Sequence, residues 1–370
     1  MSTVSVPFQF HLLLTEPVRL LRLPLSPDIK YNIHMKYVLI AIIIIIPLIM
    51  TAALIAGMIY KKTFYVRMAE PTGFIPFYFG EHPELHHEAF SCRSDVGTDI
   101  KGLLLIPDDQ PEALIIMTHG YNMSCENYMP LAHRFCDSGF MVLMFDSTGC
   151  GMSGGPGIYG LPQHIPDMKS VLDAVSKDER LSSLPLLLFG HSWGGYAACC
   201  VSLLSAYPVK GILTCGAFRK SLSSMIPSMK RRFHAAAPLL IKAAEILEKL
   251  LFGKTASFTS SEGLRTAGCP ARLYHSRDDA VVGYEESFET MKKELSDLEN
   301  ISFIGLDGRN HDLYLPPEND RRQREIRKEL ISAEDADKIV LLQNELWSLM
   351  SETDEDLAQE FIGFFKECIS

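Results

Sequence analysis

Basic residues are the minority charge: 35 Lys and Arg stand against 45 Asp and Glu, a formal net charge of -10. A nucleic-acid binder would need a basic patch over much of its surface, so that class is set aside. Cysteine is too sparse for a disulfide scaffold, with nine in 370 residues and an odd count. Most lie in apolar surroundings (Cys136, Cys150, Cys199, Cys200, Cys215) and read as small buried hydrophobes. There is no internal repeat and no low-complexity tract. A Gly-rich phosphate loop is also missing, because Gly149 to Gly157 has the wrong spacing for either nucleotide fingerprint. Charged residues make up only 22% of the chain and hydrophobic ones 47%, which excludes wholesale disorder. The length suits one large domain with appendages, or two medium ones.

One stretch lacks charge altogether. Tyr37 to Tyr60 runs for 24 residues without an ionisable acid or base. As a helix it would reach roughly 36 Å, more than the roughly 30 Å of a bilayer's hydrocarbon core. A signal peptide's apolar region is shorter, about 7–15 residues, so a retained single span over 37–60 is the expectation. Residues 1–36 are then an N-terminal extension and 61–370 the main domain. Met35-Lys36 directly before the span has the form of a start, which leaves Met1 and Met35 both open as the first residue. Arg19, Arg22, Lys30 and Lys36 flank one side of the span and Lys61, Lys62 and Arg67 the other. Orientation stays open, leaning to a cytoplasmic domain through the Met35 start and the unpaired cysteines.

From Phe90 onward short apolar runs alternate with helical patterns, which predicts a mostly parallel α/β sheet with helices on both faces. Strands are expected at Ile100–Ile106, Ala113–Thr118, Met141–Phe145, Leu184–Phe189, Gly211–Thr214, Ala271–Tyr274 and Ile301–Gly305. Helices are expected at Asn127–Asp137, Gln163–Val175 and Trp193–Ser205. Two insertions differ in charge. Residues 217–262 hold eight Lys/Arg against three Asp/Glu, with an amphipathic helix over Ala235–Gly253. Residues 317–370 hold seven against fourteen, with a capping-box start at Ser332 and Asp335. Ile339, Leu342, Leu346 and Leu349 would share one face of the helix that follows.

The strand ending at Phe189 runs into Gly190-His191-Ser192-Trp193-Gly194 and then a helix. G-x-S-x-G carries weight in this strand–turn–helix setting, where the small neighbours let the serine hydroxyl project from a strained turn. A serine nucleophile needs a base, and the base an orienting carboxylate. His311, just after the last strand, and Asp279, in the loop after Tyr274, complete the order Ser, Asp, His. Asp279 is preferred to Asp278 because Val281 and Val282 follow it at the right spacing. Tyr121 N–H, after His119-Gly120 at the end of a strand, and Trp193 N–H would hold the oxyanion. His119 is read as a buttress of that turn. His82, His86, His87 and Glu88 lack the spacing of a metal site, and Cys125 and Cys150 lack a base to activate them.

His119-Gly120, the turn Asp146-Ser147-Thr148-Gly149-Cys150-Gly151-Met152-Ser153, Gly190–Gly195, the Asp279 loop and His311 together resemble the α/β-hydrolase superfamily. The similarity is greatest to its serine aminopeptidase-like and monoacylglycerol-lipase-like members, and it covers roughly residues 90–311. It implies an α/β-hydrolase fold with a helical cap at 217–262 and helical additions at 317–370. It also implies a serine hydrolase using Ser192, His311 and Asp279 without metal or organic cofactor. A membrane tether beside a basic amphipathic cap points to carboxylic esters, acyl or lipid, as substrates. Three alternatives stay open: a peptidase with Glu245, Glu248 or Glu262 binding an amine, an acyltransferase, and a non-catalytic binding module.

Overall fold

The computed structural model describes residues 27–370. Residues 1–26 of the expected extension, with Arg19 and Arg22, lie outside the described residues. A helix spans Pro27–Phe64, past the expected end at Tyr60. Backbone contacts divide the chain into Met1–Thr51 and Ala52–Ser370. In the first unit the described side chains of the helix are exposed. In the second, Ala52, Ala56, Tyr60 and Phe64 are buried at a four-residue spacing, so one stripe of the helix belongs to the main domain's core.

That core is organised by an eight-stranded sheet: β1 (His86–Arg93), β2 (Asp99–Ile106), β3 (Ala113–Thr118), β4 (Phe140–Phe145), β5 (Leu186–His191), β6 (Val209–Cys215), β7 (Ala271–Ser276) and β8 (Ile301–Leu306). Their order is β1-β2-β4-β3-β5-β6-β7-β8, with β2 antiparallel to both neighbours and the rest parallel. The inner strands are apolar throughout because each side-chain alternation feeds a core. Leu114, Ile116, Leu143 and Phe145 face one cluster, and Ile115, Met117, Val142 and Met144 the other. Phe361 and Phe365 of the helix Glu355–Ile369 close the second, against Phe135 and Phe189. Truncating such a phenylalanine costs about 3–5 kcal/mol.

Several boundaries differ from expectation. β1 was not anticipated: His86, His87 and Glu88, expected to precede the first strand, open it instead. Its residues are mostly exposed, so no apolar alternation marks it, and it forms through the ladder from His86↔Ile106 to Arg93↔Asp99. β5 starts two residues late because Pro185 lacks an N–H for the ladder, and it runs on to pair His191 with Cys215. Ser332 caps nothing. It ends the helix Pro317–Ser332, and Asp335 caps Ala336–Met350 by accepting from Lys338 N–H at 2.8 Å. That helix buries Leu342, Leu346 and Met350 and leaves Ile339 and Leu349 half-buried. The insertion after β6 folds as helices, chiefly Ile226–Phe233 and Ala237–Phe252. Its last expected residues belong to Ser260–Ala267, which packs close beneath the sheet-flanking helix: a Cβ on Gly263 would lie 2.0 Å from Cys199 O.

Candidate active site

Ser192 occupies the single residue between β5 and the helix Trp193–Cys200, with φ 52° and ψ -111°. A left-handed φ at a residue with a side chain is strained, and the neighbours show why the turn tolerates nothing larger. A Cβ on Gly190 would lie 2.5 Å from Gly194 O, and one on Gly194 2.3 Å from Thr118 O. The turn therefore packs backbone on backbone and lifts the Ser192 hydroxyl off the sheet.

Two loops at the same end of the sheet reach that hydroxyl. His311, after β8, places Nε2 2.9 Å from Ser192 Oγ. Its Nδ1 lies 2.7 Å from Asp279 Oδ2, in the loop after β7. A carboxylate can only accept, so Nδ1 carries the proton and Nε2 is left to accept from the serine hydroxyl. Asp279 is fixed from four sides. Val281 and Val282 N–H each donate to Oδ1 at 2.8 Å, and His275 Nε2 lies 3.3 Å from Oδ2. Burial alone would push this carboxyl up, but hydrogen bonds from His275 and His311 outweigh it and hold it far below the usual carboxylate range. Burial likewise pulls His311 down, and the Asp279 hydrogen bond and charge overcome that, leaving His311 above its ordinary value. Asp278 turns elsewhere, accepting from Gly308 N–H.

Tyr121 follows Gly120 at the end of β3, and Trp193 follows Ser192. Neither backbone N–H donates to an acceptor among the described residues, which leaves both available to an incoming oxygen. The Tyr121 turn is held from below. His119 Nδ1–H donates to Gly120 O at 2.8 Å and Nε2 accepts Ser147 N–H at 2.9 Å, a buttress rather than a base. Asp146 ties the adjoining turn by accepting from Cys125 N–H at 2.7 Å and Met152 N–H at 2.8 Å.

A further contributor, His191, was not singled out in the sequence although it lies inside the motif. It is fully buried, and Tyr128 Oη stands 2.7 Å from its Nδ1. Its Nε2–H donates to His311 O at 3.2 Å, while Tyr128 Oη accepts Gly120 N–H at 2.9 Å. Burial and the charge of His311 pull His191 down to about 4, so it is neutral and links the Gly120 turn to the His311 loop. The signal was a histidine beside the nucleophile on a buried strand end, and its partner Tyr128 is visible only in three dimensions.

Ser192, Tyr121 and Val281 stand where two cavities meet. One, of about 840 Å³, is walled by Leu161, Phe218, Met225, Val281 and Val282. The other, of about 420 Å³, also reaches His311 and is lined by Asn122, Glu126, Asp312, Gln323 and Arg324 among others. The acids expected to bind an amine line neither. Glu245 pairs with Lys242 at 3.1 Å, Glu248 bonds Ser221 Oγ and Tyr60 Oη, and Glu262 bonds Thr259. His82, His86, His87 and Glu88 diverge to Glu84, Asp108, Phe79 and Arg180. His82, Glu84 and His133 bring one donor atom each within 4.8 Å of one another, beside a separate cavity. Cys125 and Cys150 are buried, which pushes both thiols well up and away from nucleophilic use.

A family model described as serine aminopeptidase, S33, matches residues 109–262. The fold has a solved counterpart: an esterase of Pyrococcus furiosus superposes with a TM-score of 0.50 at 18% identity, over 67% of this chain and 90% of that one. The chain has the α/β-hydrolase fold. Among curated relatives of this α/β-hydrolase, a monoacylglycerol lipase of Mycolicibacterium smegmatis is 26% identical over 40% of this chain and 49% of its own. A monoglyceride lipase of Mus musculus is 26% identical over 46% of this chain and 53% of its own. A proline iminopeptidase of Clostridioides difficile is 30% identical over 26% of this chain and 32% of its own. The chain thus spans about half the length of the two lipases it matches.

Proposed function

We propose that this α/β-hydrolase is a membrane-anchored serine hydrolase that cleaves carboxylic esters with an apolar acyl chain. The observation that carries the reading is the line Ser192–His311–Asp279, hydrogen-bonded at 2.9 Å and 2.7 Å and open to the larger apolar cavity. In this account Ser192 Oγ attacks the ester carbon while His311 Nε2 takes its proton. Tyr121 and Trp193 N–H hold the oxyanion, and Asp279 steadies the imidazolium. His311 then protonates the departing alkoxide, and water attacks the acyl-enzyme with His311 again as base. That two relatives are named lipases favours an ester over a peptide.

Residues 37–60 are the proposed span, and an 18-residue stretch within Met35–Phe64 reaches a mean hydropathy of 3.1. The cap helix supports a lipid setting. Leu239, Ile246 and Leu250 are exposed on it together with Lys242 and Lys249, the pattern of an interfacial helix on an anionic surface. All nine cysteines are free, which favours the reducing, cytoplasmic face. The test is labelling of the full-length protein in detergent by a fluorophosphonate, beside turnover of p-nitrophenyl esters and aminoacyl nitroanilides. Labelling and ester turnover that both vanish in Ser192→Ala are expected. Anilide turnover without ester preference would replace this reading by a peptidase.

A further inference from the structure

The smaller cavity carries charges that a plain fatty ester does not use. Glu70, Glu126, Asp312, Asp320, Arg324 and Arg327 all line it. Their weight depends on depth, because a charge at a wet rim is screened and one under protein is not. Glu70 is at the rim, 64% exposed and already paired with Arg67. Arg327 is exposed as well, its guanidinium 3.7 Å from Met350 Sδ. Arg324, its side chain 41% exposed, is engaged by the buried Asp320. This leaves Glu126 and Asp312, neither of which is ion-paired to a lysine or arginine among the described residues. Glu126 is only 4% exposed and accepts from Thr72 N–H at 3.3 Å. Burial pushes its carboxyl up, and burial with the neighbouring Asp312 pushes Asp320 up to about 6. Glu126 and Asp312 thus place two carboxylates on the cavity wall with no lysine or arginine ion-paired to either among the described residues, an imbalance that a cation in the cavity would relieve.

We propose that this cavity receives the alcohol half of the substrate through a positively charged nitrogen, with Glu126 the residue that selects it. The inference rests on ester cleavage at Ser192 and names the half of the substrate the apolar cavity does not hold. It also places the leaving oxygen on the side of His311, which lines this cavity and would deliver the proton to it. The acyl–oxygen bond breaks, and the alcohol leaves with that proton and its cationic group beside Glu126.

Two hexanoate esters of nearly equal shape test it on the full-length protein: the choline ester, and the 3,3-dimethylbutyl ester with carbon in place of the charged nitrogen. The choline ester is expected to have a kcat/KM at least about tenfold higher, a margin that narrows as salt is raised. Tetramethylammonium should compete with the dimethylbutyl ester, and Glu126→Gln should bring the ratio of the two esters towards one. Equal kcat/KM for the two esters, or no competition by tetramethylammonium, overturns the proposal while ester cleavage at Ser192 stands. These two measurements need no variant, so they decide even if Glu126→Gln does not fold. A ratio unchanged in a folded Glu126→Gln removes Glu126 from the role. Failure of both esters, with no fluorophosphonate labelling of Ser192, overturns the reading beneath it.

Discussion

The two cavities that meet at Ser192 have different parentage. The larger is walled by strand-end turns and the first part of the insertion after β6, through Leu161, Phe218, Met225 and Val282. The smaller is roofed by the helix Pro317–Ser332, which adds Gln323, Arg324 and Arg327 opposite Glu126. The first insertion thus supplies mainly apolar surface, with Arg231 beside it, and the second supplies charge, around Ser192, which belongs to neither. In the proposed account the sheet holds Ser192, His311 and Asp279 in place while each insertion shapes one of the cavities beside them.

The sharpest way to break this division is to remove what both cavities share. Ser192→Ala should lower kcat by at least about 10⁴-fold for every ester, whatever its acyl or alcohol half, and His311→Ala should do nearly the same. A loss confined to one substrate class in steady-state assays would mean the cavities serve separate reactions.

The next effect concerns the cap alone. Glu248 is buried there, accepting from Ser221 Oγ–H at 2.7 Å, and burial pushes its carboxyl up to about 7. Its folded value lies above the ordinary 4.5, so the folded state binds this proton more tightly than the unfolded chain does. The sign follows: the cost of the charged form is absent below about pH 4.5 and fully present above about pH 7, at about 3 kcal/mol for a shift of this size. Glu248→Gln should therefore raise Tm at pH 8 and leave it nearly unchanged at pH 4.5, as read by thermal melts across pH. Activity at the smaller cavity should follow only through overall folding.

The pH profile sharpens the account of the shared residues. His311 must be neutral to act as base, and its value is raised above 6.5. The acid limb of kcat/KM should therefore fall as pH drops through a value above 6.5. In Asp279→Asn, which removes the charge that raises His311, the limb should move to lower pH. Rate measurements from pH 5 to 9 check both directions.

The smallest effect is at the junction. Val281 is 53% exposed and borders both cavities, so Val281→Trp should narrow the mouth without disturbing the core. About a tenfold fall in kcat/KM for long acyl chains relative to short ones is expected from a chain-length series.

What could be read from the amino-acid order follows the same division. The apolar strands, the Gly-flanked turn at Ser192 and the succession of Ser192, Asp279 and His311 are set by local rules: alternation feeding two cores, and a turn that only glycine neighbours fit. β1 was missed because an edge strand with exposed side chains has no apolar alternation to announce it. The link from His191 through Tyr128 to the Gly120 turn joins residues 63 positions apart, and nothing local marks it. The acids of the cap were placed wrongly for a related reason. A carboxylate on an amphipathic helix can face the pocket, the solvent or, like Glu248, a serine beneath it, and helical periodicity does not choose among these. The role of Pro317–Ser332 as a cavity wall was likewise invisible, since its strongly charged sequence reads as a solvated face.

The most direct test of the central claim is turnover of p-nitrophenyl esters from acetate to palmitate by the full-length protein in anionic nanodiscs, with Ser192→Ala alongside. The account predicts turnover that depends on Ser192 and rises with acyl length to an optimum that the apolar cavity sets. Turnover that is indifferent to chain length, or that survives in Ser192→Ala, would contradict it.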